Sequence, residues 1–92
     1  MKRRVRFRAT GRVQGVAFRA SAREEARRLG VAGWIRNTSN GVGVEGEAEG
    51  DASAVDAFLA FCKKGPPGAR VEHFDSEDGT LYDEMSGFEI RR

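Results

Sequence analysis

The spacing between apolar positions alternates along this chain between the two of a strand and the roughly 3.6 of a helix. Val5, Phe7 and Ala9 alternate with Arg4, Arg6, Arg8 and Thr10, which predicts a half-buried strand with one charged face. Gly11-Arg12-Val13-Gln14-Gly15-Val16 then sets glycines around a short mixed stretch, so the chain turns there. Residues 20–29 are rich in Ala, Arg and Glu, and Phe18, Ala22, Ala26 and Leu29 mark one apolar helical stripe. Gly30 stands where a helix takes a left-handed C-terminal residue. Residues 31–38 read as a second strand, and Asn40-Gly41 is a strong hairpin signal before a third over 42–49. In that third strand Val44, Gly46 and Ala48 alternate with Glu45, Glu47 and Glu49. Asp51 suits an N-cap, and Val55, Phe58, Leu59 and Cys62 form the clearest helical stripe. Lys63 and Lys64 suit the negative helix end, and Gly65-Pro66-Pro67 stops it. A fourth strand is predicted over 70–75 and a short last one at Phe88-Glu89-Ile90.

This order of elements describes an α+β domain. Two helices are too few to cover both faces of a four- or five-stranded sheet, so both are expected on one face. That is the ferredoxin-like βαββαβ sandwich, an antiparallel sheet whose first and third strands are central neighbours. The arginines of the first strand and the glutamates of the third then share the open face. Arg4, Arg6 and Arg8 could form a stripe for anions or RNA there, or a solvated face neutralised by Glu45, Glu47 and Glu49. Opposite charges paired across strands are the expected stabiliser, which favours the second use.

Composition narrows the chemistry. At 92 residues the chain is expected to be one domain over residues 1–92. Leu, Ile, Val and Phe supply 19 of the 92 residues, a small core, but 16 basic and 14 acidic residues nearly cancel, so the chain should fold. The single cysteine, Cys62, excludes an internal disulfide, and one Cys with one His cannot make a four-ligand zinc site. No apolar run approaches the ~18 residues of a membrane span. Arg6 and Arg8 interrupt any signal-peptide core, so the cytoplasm is the expected location. A net charge of +2 argues only weakly for nucleic acid.

Single residues offer little catalytic machinery. His73 stands alone on a predicted strand, where a structural imidazole is the simpler reading than a relay. Cys62 lies on the apolar stripe of the second helix and reads as a small core hydrophobe. Asp75-Ser76-Glu77-Asp78 reads as a solvated loop, since it lacks the ligand spacing of a calcium loop. What remains is the first strand-to-helix junction. A glycine-flanked loop entering a helix exposes backbone N–H groups at the positive end of the helix dipole. Arg19 sits where that loop becomes helix, and a guanidinium can grip a tetrahedral oxyanion bidentately. Many strand-to-helix turns share these features for conformational reasons, so loop and arginine alone leave the question open.

The full string is more specific. Gly11-Arg12-Val13-Gln14-Gly15-Val16-Ala17-Phe18-Arg19, followed by Gly33-Trp34-Ile35-Arg36-Asn37 and then Gly41, resembles the acylphosphatase family. The helix stop at Gly65-Pro66-Pro67, the strand around Val71 and the terminal Gly87-Phe88-Glu89-Ile90 also fit, so the resemblance spans essentially the whole chain. Two departures stand out. Ala17 occupies a position that varies in the family and is expected to be harmless. Between Gly41 and Glu49-Gly50 there is one residue more than the usual pattern, and Gly43 or Gly46 is expected to absorb it as a β-bulge.

The resemblance implies hydrolysis of the carboxyl–phosphate bond of acyl phosphates without metal or other cofactor. It implies that Arg19 binds the phosphate together with the N–H groups of Gly15, Val16, Ala17, Phe18 and Arg19. Asn37 matches the asparagine that orients the attacking water. The expected partner is a small-molecule acyl phosphate, with no nucleic acid and no membrane, acted on by a monomer. A non-catalytic domain of the same fold, as found within larger carbamoylating proteins, is the alternative. An RNA-binding sheet of this topology would carry exposed aromatics on its central strands, where this chain has Arg and Glu.

Overall fold

The alternation around Val5 builds the longest strand, β1 (Lys2–Arg12), with Val5, Phe7 and Ala9 all buried. The computed structural model describes residues 1–80 and 85–92. After β1 come α1 (Phe18–Leu29), β2 (Ala32–Asn37), β3 (Gly43–Asp51), α2 (Ala52–Lys64), β4 (Arg70–Asp78) and β5 (Phe88–Ile90). They form one five-stranded sheet in the order β4-β1-β3-β2-β5, so β1 and β3 are central neighbours, as the pattern predicts. The two helices pack on each other and on one face of the sheet. Phe18, Ala22 and Ala26 of α1 and Val55, Phe58 and Cys62 of α2 close over Val5, Phe7, Ile35 and Val44. Gly30 ends α1 in the left-handed conformation, its N–H bonded to the carbonyls of Ala26 and Arg27. Asp51 stands at the N-cap of α2 but makes no capping bond; its carboxylate accepts from the Ser53 hydroxyl and the Met1 ammonium instead.

Three expectations need correction. The sheet is mixed, because β5 pairs with β2 in parallel. Gly79 bonds the carbonyl of Arg4, and Met85 donates its N–H to Glu49, so both residues lie at the end of the sheet where β4 finishes. A strand entered from that end runs the same way as β2. The acidic stretch Asp75-Ser76-Glu77-Asp78 is no loop but the second half of β4, with Asp75 opposite Arg8 and Glu77 opposite Arg6. Acidic residues are poor strand formers in isolation, and the arginine row of β1 reverses that here. Finally, neither Gly43 nor Gly46 bulges. The β1–β3 ladder runs without a break from Lys2↔Asp51 to Thr10↔Gly43, and β2–β3 from Ala32↔Glu49 to Asn37↔Val44. The turn over 38–42, mostly exposed, is where an extra residue would disturb no ladder. Gly46 is required for a different reason. A Cβ there would lie 2.0 Å from the Trp34 carbonyl oxygen and 2.8 Å from the Phe7 ring.

On the open face the two charged rows pair as predicted. Arg8 Nη2 lies 2.9 Å from Glu45, and Arg6 Nε 3.8 Å from Glu47. Arg8, joined by Arg36 from β2, holds the Glu45 carboxyl below the usual carboxylate range despite some desolvation. The third pair departs from the solvated picture. Arg4 and Glu49, 2.9 Å apart, are 4% and 2% exposed. Arg4 also donates to the carbonyl of Thr80, and Glu49 accepts from the Met85 N–H, so Thr80 and Met85 supply the buried pair with further partners.

Candidate active site

Beyond β1 the chain must reverse to enter α1. Val13, 1% exposed, and Phe18, 2% exposed, anchor the two ends of this loop in the core. Between them the backbone enters the left-handed region twice, at Gly15 (φ 74°) and Ala17 (φ 59°). A Cβ at Gly15 would meet nothing within 4 Å, so glycine serves the backbone angle there and not a tight space. Ala17 is the only non-glycine residue with positive φ among the described residues. Its methyl leans on the following carbonyl in that conformation, so its presence costs stability. Ala17→Gly is expected to stabilise the protein by about 1 kcal/mol, less the extra freedom of glycine in the unfolded chain. A thermal melt several degrees higher checks this; an unchanged or lower midpoint contradicts it.

Among the described residues none accepts a hydrogen bond from the N–H of Gly15, Val16, Ala17, Phe18 or Arg19. No side chain caps α1, and its first turn holds no acidic residue, so the positive end of the helix dipole is uncompensated. Arg19, the second residue of α1, is half-buried, and its guanidinium makes no ion pair or hydrogen bond to any described residue. A cavity of about 190 Å³ opens here, lined by Gly15, Ala17, Phe18 and Arg19 with Ile90 of β5. Phe18, 2% exposed, also belongs to the core cluster, so its unbonded N–H is what it can offer a ligand. A larger groove of about 590 Å³ crosses the open face past Arg6, Arg8 and Arg36. Each of those cations already faces a carboxylate. Of these two, the smaller cavity combines unpaired donors with a cation unpaired among the described residues.

Asn37 is the last residue of β2. Strand parity places it on the face of Ile35, and Ile35 is fully buried beneath the helices, so Asn37 is on the covered side. Its Oδ1 is buried and accepts no hydrogen bond. The link between loop and hairpin is Gln14. Its Nε2 donates to the carbonyl oxygens of Thr38 (3.1 Å) and Gly43 (2.8 Å). Gln14 belongs to the sequence motif, but its partners are distant in sequence; the signal was only that its amide carries two donors.

Two other candidates stand apart. His73 is an exposed residue of β4 opposite Thr10. Cys62 is fully buried in α2, and burial, helped by the charge of Glu25, pushes its thiol pKa far up. Among the described residues no three His, Cys, Asp or Glu side chains cluster as metal ligands would, and no helix is long and apolar enough to cross a membrane.

Comparison with known proteins identifies the family. The sequence profile of the Acylphosphatase family matches residues 5–90. An acylphosphatase of Rubrobacter xylanophilus is 51% identical over 89 residues, 97% of this chain and 80% of that one. One of Anaeromyxobacter dehalogenans is 50% identical over 88 residues, 96% of this chain and 94% of that one. The crystal structure of acylphosphatase from Bacillus subtilis superposes with a TM-score of 0.91 at 33% identity, all of both chains being covered. With the family's profile matched over nearly its whole length and half its residues shared with such relatives, the chain belongs to the acylphosphatase family.

Proposed function

We propose that this chain hydrolyses the carboxyl–phosphate bond of acyl phosphates, releasing a carboxylate and inorganic phosphate. In this reading the N–H groups of Gly15, Val16, Ala17, Phe18 and Arg19 and the Arg19 guanidinium hold the phosphoryl group. Asn37 orients the attacking water. The observation that carries the reading is a complementary set of unsatisfied groups. The loop and Arg19 offer donors without acceptors, which suits a phosphoryl group. The buried Oδ1 of Asn37 offers an acceptor without a donor, which suits a water molecule.

So small a site suffices for this bond. The water oxygen attacks phosphorus as the bond from phosphorus to the acyl oxygen breaks. The leaving carboxylate, of parent pKa ~4, takes the bonding pair without needing a general acid. A phosphoryl oxygen takes the proton of the water. The loose transition state then asks for position and charge stabilisation, which the loop and guanidinium supply. The reading takes the single domain of residues 1–92 as a cytoplasmic monomer. Phosphate release from benzoyl phosphate tests it. Activity is expected in excess EDTA and after treatment with a thiol-blocking reagent. Activity lost to EDTA and restored by magnesium or zinc would overturn the mechanism. Loss in a folded Cys62→Ser variant would equally count against it.

A further inference from the structure

We infer that Gln14 is a positioning residue that sets Asn37 against the phosphate loop, an inference that rests on the water-orienting role proposed for Asn37. Among the described residues its two hydrogen bonds are the only ones joining loop 13–17 to the β2–β3 hairpin. Val13 and Phe18 fasten the loop to the core. The Gly11 N–H, two residues before it, donates to the Val42 carbonyl at 3.0 Å, so Gln14 is the link to the hairpin made from within the loop itself. The acceptors are telling. Thr38 directly follows Asn37, and Gly43 directly precedes Val44, the residue opposite Asn37 in the ladder. The amide thus closes the hairpin immediately beyond the Asn37–Val44 pair, spanning both strands. Both acceptors are carbonyl oxygens, so only the amide nitrogen can face them, and both of its hydrogens are used. The Gly43 carbonyl also accepts from Thr38 N–H at 2.9 Å, which holds the same corner from within the hairpin.

The consequence is kinetic. Phosphate is held by one side of this link and the water by the other. Loosening the link leaves phosphate binding intact and misaligns the attack, where a displacement of about 1 Å is worth up to ~10² in rate. The test is a double-mutant cycle on benzoyl phosphate hydrolysis. Gln14→Ala and Gln14→Met, the second keeping the side chain's length without its donors, are made alone and with Asn37→Ala. Each alone is expected to lower kcat about tenfold or more, with inhibition by inorganic phosphate within about twofold of normal. In the Asn37→Ala background the further loss is expected to be less than about twofold, since no held water remains to misalign. Additive losses, or phosphate affinity falling in step with kcat, would overturn the role of Gln14 while leaving that of Asn37 standing. A fully active Gln14→Met would overturn it too. If Asn37→Ala itself costs nothing, the water-orienting role fails first and takes this inference with it.

Discussion

Replacing Arg19 with alanine is expected to lower kcat/KM for an acyl phosphate by about 10³–10⁵, and to abolish inhibition by inorganic phosphate. The magnitude follows arginine fingers, which stabilise the same kind of transferring group. Nothing else in the site replaces this charge, since the loop contributes only N–H dipoles. Arg19→Lys should be nearly as damaging, because an ammonium cannot span two phosphoryl oxygens in one plane as a guanidinium does. The loss should not come from unfolding. The guanidinium is bonded to no described residue, so its removal breaks no internal contact of charge. Thermal melts of the variant should therefore lie close to those of the parent. A tenth of the original activity surviving in Arg19→Ala would sink the assignment of the phosphate site.

Asn37→Ala should separate the second role from the first. Its amide is proposed to hold the water and not the phosphate, so the interaction matters mainly in the transition state. We expect kcat to fall by ~10² or more while inhibition by inorganic phosphate changes little. Stability should change little, because among the described residues the Asn37 Oδ1 accepts no hydrogen bond that alanine would forfeit. A less active but no less stable protein is the pattern of a residue kept for function. Phosphate affinity falling as steeply as kcat would instead make Asn37 a phosphate ligand.

Much of this was legible along the chain, for a local reason. The stripes Phe18-Ala22-Ala26 and Val55-Phe58-Cys62 are buried in the core, because an amphipathic helix has one face to bury. Gly30 ends α1 and Gly41 turns the hairpin because glycine tolerates positive φ, while Asn40 accepts hydrogen bonds from the Thr38 hydroxyl and the Val42 N–H within that turn. The opposed rows of Arg and Glu on β1 and β3 could be paired in advance, since strand parity and central adjacency leave them one partner. Local signals misled where a distant element changed the outcome. Asp75 to Asp78 looks like a loop until the arginines of β1 lie beside it. Arg4 and Glu49 look solvated, yet both are buried, with Thr80 and Met85 bonded to them. Nothing in the identity of Ala17 announces its left-handed backbone, which the anchoring of Val13 and Phe18 on either side imposes.

The candidate site divides in the same way. By itself the sequence determined the helices, the strands and their faces, and it held the motif that singled out the loop from Gly15 to Arg19 and Asn37. These depend on side-chain period and backbone preference, which act over a few residues. Only the tertiary structure decided the direction of β5, the burial of Arg4 with Glu49, and the join between loop and hairpin through Gln14. Each of those depends on groups brought together from 24 or more residues apart, as the 24-residue separation of Gln14 from Thr38 illustrates. A hydrogen bond or ion pair specifies distance and angle between its partners, and no spacing within one segment encodes where the other will lie.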